Sequence, residues 1–239
     1  MPNTRTYIQD YTNLHPSFNR EDLFTYLSGK ADINKSALSW YLHKLVDENF
    51  LVRTGRGIYA RVMKQSFAPV ASKEAARTCS EVQEHFPFAR FCVYQGEIIG
   101  PLQHHLSSNA VIYVETGRDN AESVFNYLKE TGREVYLRPD RDMIYRYIDM
   151  DRPVCFVKNL VSEAPLQKID GVPMPTVEKL LVDILRDADF FYLRGVESEH
   201  IIENAFNLYE INRSRLFRYA ERRKVKADLI SILENLNLA

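Results

Sequence analysis

The sequence predicts a mixed α+β protein made of two domains, residues 1–66 and 67–239. Three observations support this class. The first fifty residues contain three segments with helix signals, followed at once by a short β-prone hairpin. Between residues 85 and 170, short β-prone runs alternate with helical segments, as in a larger α/β domain built around a sheet. From Ser198 onward the chain has the pattern of three helices, which predicts a helical C-terminus.

The first domain is predicted to contain three helices, each with its own start or stop signal. A short helix over Thr6–Tyr11 ends before Pro16. Asn19 is a good N-cap for a second helix over 20–28, because its side chain can accept a hydrogen bond from an unpaired backbone amide of the first turn. Asn34 is the expected N-cap of the third helix for the same reason.

The third predicted helix is amphipathic. Its apolar residues recur with the helical period, at Leu38, Tyr41, Leu42, Leu45 and Val46. The opposite face carries cations, short hydrogen-bond donors and one aromatic side chain, at Lys35, Ser36, Ser39, Trp40, His43 and Lys44. Side chains of these kinds contact base edges when a helix enters the major groove of DNA.

Two β-prone runs, Phe50–Arg53 and Ile58–Arg61, flank a Gly-rich turn and predict a β-hairpin. The glycines also match a dinucleotide-binding loop, but that loop needs a helix directly after them, and β-prone residues follow here. Three helices and then a hairpin give the order of a winged helix, whose wing contacts DNA phosphates. A helical subdomain with merely solvated basic residues is the alternative. The cations of the predicted wing are Arg53, Arg56 and Arg61.

The charge distribution excludes a uniformly basic nucleic-acid coat and favours a local contact. The whole chain has a net charge of −1, whereas residues 1–66 contain nine Lys and Arg against six Asp and Glu. The cysteines, Cys79, Cys92 and Cys155, form no Cys-x-x-Cys motif. Without a leader or an apolar run of about 18 residues, the sequence predicts a reduced, cytoplasmic protein with no membrane partner.

The second domain is predicted to contain five strands among several helices. Helices are expected at 73–84, 97–106 and 121–129. An Asp-Gly turn at 170–171 predicts a hairpin, after which Thr176 is expected to cap an amphipathic helix. The predicted strands are Phe91–Tyr94, Ala110–Glu115, Glu134–Leu137, Val154–Val157 and Leu166–Ile169. The C-terminal helices are expected at 198–210, 213–222 and 225–236.

The middle C-terminal helix is strongly basic, with Glu221 as the only acid between residues 212 and 226. A charge run on a helix is often just a solvated face. The alternative is a docking surface for an acidic partner. The candidate partner-binding residues are Arg213, Arg215, Arg218, Arg222 and Arg223.

The sequence contains no complete catalytic or metal-binding pattern, so we expect no enzymatic activity, no catalytic residue, no metal site and no cofactor. The Gly-x-Ser-x-Gly and His-Glu-x-x-His motifs are absent. His104 and His105, adjacent on a predicted helix, would point about 100° apart and could not easily chelate one ion. The rival interpretation is a nucleotidyltransferase or nuclease in which Asp149 and Asp151 bind a metal.

Two stretches of the sequence resemble a known family. LVRTGRGIYAR, residues 51–61, resembles the wing of AbiEi-type antitoxins from bacterial type IV toxin–antitoxin systems. LQKIDGVPMPTVEKLLVDIL, residues 166–185, is similar to the hairpin and helix of their second domain. The resemblance implies a DNA-binding antitoxin and transcriptional autorepressor that binds repeats in its own promoter, an arrangement that would suit a homodimer. Its second domain would neutralise a nucleotidyltransferase toxin encoded alongside.

On this interpretation the third helix contacts base edges of double-stranded DNA, and the wing contacts its phosphates. The base-edge set is Lys35, Ser36, Ser39, Trp40 and His43, and the phosphate set is Arg53, Arg56 and Arg61. A third interpretation is a non-catalytic protein-interaction adaptor, which would bind a partner without DNA affinity or turnover.

Overall fold

The computed structural model describes residues 4–48, 50–104 and 109–238. It has the predicted mixed α+β class, with several small sheets and a helical C-terminus. The chain divides into two compact units, Met1–Lys64 and Gln65–Ala239, where the sequence placed the boundary after residue 66. No helix within the described ranges is long and apolar enough to cross a membrane.

The first unit has the element order of a winged helix. Its elements are α1 (Thr4–Leu14), β1 (Ser17–Asn19), α2 (Arg20–Ser28), α3 (Lys35–Asp47), β2 (Leu51–Gly55) and β3 (Ile58–Arg61). The strands form an antiparallel sheet in the order β1-β3-β2, and the predicted hairpin β2-β3 is the wing. Strand β1 was not predicted, because three residues are too few to show an alternating pattern.

Both predicted asparagine caps are confirmed. The side-chain oxygen of Asn19 accepts a hydrogen bond from the Asp22 N–H at 2.9 Å, and that of Asn34 accepts one from the Ala37 N–H at 2.8 Å. Each bond satisfies an amide that has no partner within the helix, which fixes where α2 and α3 begin. Helix α1 is longer than the predicted Thr6–Tyr11.

The apolar stripe of α3 faces the core of the first unit, as predicted. Leu38, Leu42 and Leu45 are buried, and Tyr41 and Val46 are partly buried. The opposite face of α3 therefore points to solvent. The other buried residues of this core are Ile8, Tyr11, Phe18, Leu23, Leu27 and Leu51.

The second unit contains a four-stranded sheet. Its elements are α4 (Lys73–His85), β4 (Phe91–Gln95), β5 (Ile112–Thr116), α5 (Ala121–Glu130), β6 (Val135–Leu137), α6 (Arg141–Tyr147) and β7 (Cys155–Asn159). The strand order is β4-β5-β7-β6, in which β4 is antiparallel to β5 and the other neighbours are parallel. The predicted strands are confirmed with ends shifted by up to two residues. Helix α6 was not predicted.

A hairpin and four further α-helices follow the sheet. The predicted Asp-Gly turn is confirmed, with φ of 49° at Asp170 and 85° at Gly171, as a type I′ turn requires. Thr176 occupies the N-cap position of the next helix, but its hydroxyl makes no capping hydrogen bond, so this part of the prediction is wrong. The elements are β8 (Leu166–Ile169), β9 (Val172–Pro175), α7 (Val177–Arg186), α8 (Val196–Leu208), α9 (Arg213–Arg223) and α10 (Lys226–Asn235), with a 3-10 helix at Ala188–Leu193.

The helix predicted over 97–106 is wrong in type and extent. The chain forms a 3-10 helix, Gly96–Leu102, with Pro101 inside it. Proline has no N–H and so cannot continue a helical hydrogen-bond ladder. His104 lies in a bend beyond this helix, and His105 lies outside the described residues.

Gly96 lies against the side chain of Asn109, which is only 3% exposed. The Asn109 amide donates to the hydroxyls of Tyr113 (3.2 Å) and Tyr192 (2.7 Å), and its oxygen accepts from the Val111 N–H at 3.2 Å. These bonds hold the amide in place. A Cβ atom added at position 96 would lie 2.2 Å from Asn109 Cγ, so only glycine fits there without a rearrangement.

We expect Gly96→Ala to lower the free energy of unfolding by about 1–3 kcal/mol, the usual cost of overpacking a core. Urea denaturation followed by circular dichroism measures the change. Gly100→Ala in the same 3-10 helix is the matched control, because a Cβ atom there meets no atom within 4 Å. Equal stability of the two variants would contradict the close packing at Gly96.

Candidate nucleic-acid interface

A groove of about 830 Å³ lies between the start of α2, the exposed side of α3 and the wing. Ser39 and His43 line it from α3, and Arg53 and Arg56 line it from the wing. The structure thus brings together four of the eight residues predicted to contact DNA. Glu21 and Asp22 from the first turn of α2 also line the groove, so its cations face two carboxylates.

Arg20 joins the three elements that form this groove. Its backbone N–H donates to Gly57 O in the wing turn at 2.8 Å, and its guanidinium donates to Lys35 O at the start of α3 at 2.9 Å. The role of Arg20 was not predicted from the sequence. Its position is a signal for such a role. A cation in the first turn of a helix interacts unfavourably with the helix dipole, which suggests that a contact elsewhere in the fold keeps it there.

All five predicted base-contacting residues lie on the exposed surface of α3. Lys35, Ser36 and Trp40 lie outside the groove on this surface. Lys35 Nζ is 3.6 Å from a Glu21 carboxylate oxygen, and His43 Nδ1 is 2.8 Å from an Asp47 oxygen. Exposed contacts of this kind are weak, so both side chains can exchange these partners for others at little cost.

The three wing arginines have different environments. Arg56 is exposed at the turn and has no side-chain partner within the described residues. Arg53 Nε donates to Gly55 O at 3.2 Å. Arg61 lies at the opposite end of the hairpin from the turn, where its guanidinium donates to Asn13 and packs over the ring of Phe50 at 5.4 Å. The structure therefore places Arg61 at the base of the wing, away from the turn that carries Arg56, and its phosphate contact stays a prediction.

The predicted partner surface on α9 contains three arginines on its outer side. Arg218 and Arg222 are exposed, and Arg222 Nε donates to Ser162 Oγ at 2.7 Å. Arg213 is also exposed and donates to the carbonyl oxygen of Leu238. Their partners in the part of the chain that the structure describes are uncharged, so these arginines keep their positive charge available to a partner.

The two remaining arginines of the predicted set interact with buried carboxylates. Arg215 is partly buried and lies 3.6 Å from an oxygen of Glu178. Arg223 points inwards, where it pairs with Asp187 and lies 3.7 Å from Asp183. The structure therefore corrects the predicted role of Arg223: it stabilises the second unit from within.

A buried charge network surrounds Lys179 in the second unit. The Lys179 side chain is fully buried, and its ammonium lies 2.7 Å from Glu115 and 2.6 Å from Asp183. The hydroxyl of Tyr94 donates to Glu115 and that of Tyr219 donates to Asp183, both at 3.0 Å. The network therefore joins β4, β5, α7 and α9.

The network continues towards the 3-10 helix at 188–193. Lys158 on β7 lies 2.6 Å from Asp187 and 2.8 Å from Asp189. Burial raises the pKa of the Asp183 carboxyl to about 6. Burial would also raise the pKa of Asp187, but Lys158 and Arg223 beside it lower that pKa to about 2. Because these groups are largely buried and paired with one another, loss of any one of them would destabilise the fold.

Asp149 and Asp151, the metal ligands of the rival enzyme interpretation, lie in a turn after α6. An Asp149 oxygen accepts a hydrogen bond from the Asp151 N–H at 3.1 Å, and the other lies 3.1 Å from Arg152. Within the ranges that the structure describes, no group of three or more His, Cys, Asp and Glu residues is placed to hold a metal ion.

We expect Lys179→Met to lower the free energy of unfolding by about 3–5 kcal/mol at neutral pH, because Glu115 and Asp183 would stay buried without their cation. Burial raises the pKa of the Asp183 carboxyl and Lys179 lowers it, so loss of the cation would raise that pKa further and the folded state would bind more protons than the unfolded state. The variant should therefore regain stability as the pH falls from about 8 to about 5.

Urea denaturation at the two pH values measures both effects. Lys168→Met is the control, because Lys168 is an exposed lysine of the same unit. A Lys179→Met protein as stable as this control at the higher pH would show that the network contributes nothing to the fold.

Residues 37–239 match the family described as "Family of unknown function (DUF6577)". The matched range begins within α3 and includes the wing, the four-stranded sheet and the C-terminal helices. No curated protein matches the chain. Because the match spans well over half of the sequence, the chain belongs to DUF6577, a family of unknown function.

Proposed function

We propose that this protein is a DNA-binding transcriptional regulator whose winged helix binds double-stranded DNA. The observation that carries the proposal is the groove in which Ser39 and His43 of α3 face Arg53 and Arg56 of the wing. Helix α3 enters the major groove, where hydroxyl and imidazole groups bond to base edges, and the wing arginines contact phosphates. The proposal assigns the chain no catalytic activity, metal or cofactor.

The charge distribution supports this orientation on DNA. Residues 1–66 carry nine Lys and Arg against six Asp and Glu, whereas the rest of the chain carries 22 against 26. A locally positive surface on an otherwise acidic chain attracts the polyanion to one unit and repels it from the other. Arg56 is the wing cation with the fewest internal contacts, so it is the one best placed to neutralise a phosphate.

We expect Arg56→Ala to weaken binding to all DNA sequences alike and to reduce the slope of log K against log salt concentration by about one unit, because one phosphate contact is lost. Fluorescence anisotropy at several salt concentrations, with DNA from upstream of the gene, measures the slope. Arg118→Ala is the matched control, since Arg118 is an exposed arginine of the second unit.

Ser39→Ala should behave differently from Arg56→Ala. Loss of a hydroxyl that bonds to a base edge changes the preferred sequence and leaves the salt slope as it was. The absence of any salt-dependent DNA binding by the unmodified chain would remove the winged-helix proposal altogether.

We further propose, from the resemblance to AbiEi-type antitoxins, that the second unit neutralises a nucleotidyltransferase toxin encoded alongside, while the first unit represses the shared promoter. The outer surface of α9 supports a contact with an acidic partner. Arg218, Arg222 and Lys224 line a shallow groove of about 500 Å³ together with the partly buried ring of Phe217. Aromatic and arginine side chains are enriched in protein–protein interfaces.

We expect the double variant Arg218→Glu, Arg222→Glu to lose toxin neutralisation, because two carboxylates would face an acidic surface. Its DNA binding should be unchanged. Growth of cells that co-express the neighbouring toxin gene measures neutralisation, and anisotropy measures DNA binding. Arg118→Glu is the control for a charge reversal elsewhere on the unit. Full protection by the double variant would exclude α9 as the toxin surface.

A further inference from the structure

Trp40 is an exposed aromatic residue in the middle of α3, with 59% of its surface accessible to solvent. The exposed surface of this helix is otherwise polar and is formed by hydroxyl groups, an imidazole, ammonium groups and the carboxylate of Asp47. A large apolar side chain among polar ones on a candidate interface suggests that it meets an apolar group of the ligand.

The neighbours of Trp40 hold its ring in one orientation. The ring of Tyr41 contacts it edge to face, with centroids 5.0 Å apart and planes at 78°. The ammonium of Lys44 lies 5.2 Å from the ring centroid on the next turn of the helix. An aromatic ring fixed in this way can contact a ligand with little loss of side-chain entropy.

Trp40 belongs to a stripe that runs along the exposed side of α3. Ser36, Trp40 and Lys44 are spaced four residues apart and therefore share one face of the helix. Ser39 lies next to this stripe and lines the groove towards the wing. The apolar ring of Trp40 thus has hydrogen-bond donors on both sides along the helix axis. On DNA, successive base pairs would follow one another in this direction.

The major groove of DNA presents hydrogen-bonding groups at every base pair but only one apolar group, the C5-methyl group of thymine. We propose that Trp40 is a specificity-determining residue that recognises a thymine through this methyl group. The inference rests on the proposed function, because it requires α3 to lie in the major groove. It goes further in naming the base and the chemical group that are recognised.

The expected effect is the contribution of one buried methyl group. Loss of the contact between the Trp40 ring and one methyl group costs about 0.8 kcal/mol, which weakens binding about four-fold. Uracil differs from thymine only by the absence of the C5-methyl group, so deoxyuridine at the recognised position removes this contact and keeps every hydrogen-bonding group of the base pair.

The experiment uses the full chain and a pool of random-sequence duplexes. Selection by the unmodified chain should enrich an A·T pair at one fixed position, and deoxyuridine at that position should weaken binding about four-fold. Trp40→Ala should bind the thymine and uracil duplexes equally, whereas Trp40→Phe should keep part of the preference. Phe88→Ala removes a fully exposed aromatic ring of the second unit and should leave the preference unchanged.

The outcomes separate this inference from the proposed function. Salt-dependent DNA binding with equal affinity for the thymine and uracil duplexes overturns the role of Trp40 and leaves the winged-helix proposal intact. A thymine preference that survives in Trp40→Ala also overturns it, because another residue then contacts the methyl group. Failure to bind any duplex overturns both. Circular dichroism of each variant checks that the fold is retained.

Discussion

The burial of Leu38, Leu42 and Leu45 fixes the rotation of α3 about its axis, and the proposed interface depends on that rotation. Each fully buried leucine contributes roughly 1.5–3 kcal/mol relative to an exposed one, so no other face of the helix can compete for the core. Since successive residues of a helix are about 100° apart, the face of α3 opposite these leucines points to solvent. The exposed residues of α3 are Lys35, Ser36, Ser39, Trp40, His43, Lys44 and Asp47.

The arginines of the first unit lie in two kinds of environment. Arg20 ties the start of α2 to both the wing turn and α3, and Arg61 ties the base of the wing to Asn13 and Phe50. These contacts tie the sheet to the helices. Arg56 lies at the exposed turn of the wing, which the Arg20 N–H bond to Gly57 O holds in place. An exposed arginine on a fixed turn suits the phosphate contact that we propose.

In the second unit, a buried charge network decides where the basic helix α9 lies. Tyr219 and Arg223 on its inner side bond to Asp183 and Asp187 around α7. Buried charges of this kind add little net stability, but loss of one partner is costly. The inner side of α9 is therefore fixed in place, and Arg218 and Arg222 are held on the outside. The network thus links the four-stranded sheet to the surface that we propose for the partner.

The sequence by itself determined the features that neighbouring residues control: the starts of α2 and α3 at their asparagine caps, the apolar stripe of α3, and the hairpin turns. Only the tertiary structure decided which charged residues are internal. Glu115 and Lys179 are 64 residues apart in the chain and pair inside it, and two acidic residues of α7, Glu178 and Asp183, are buried as well. The spacing of neighbouring residues predicts helical period and capping. A buried charge needs a partner, and that partner can come from a distant segment, so the local sequence does not show it.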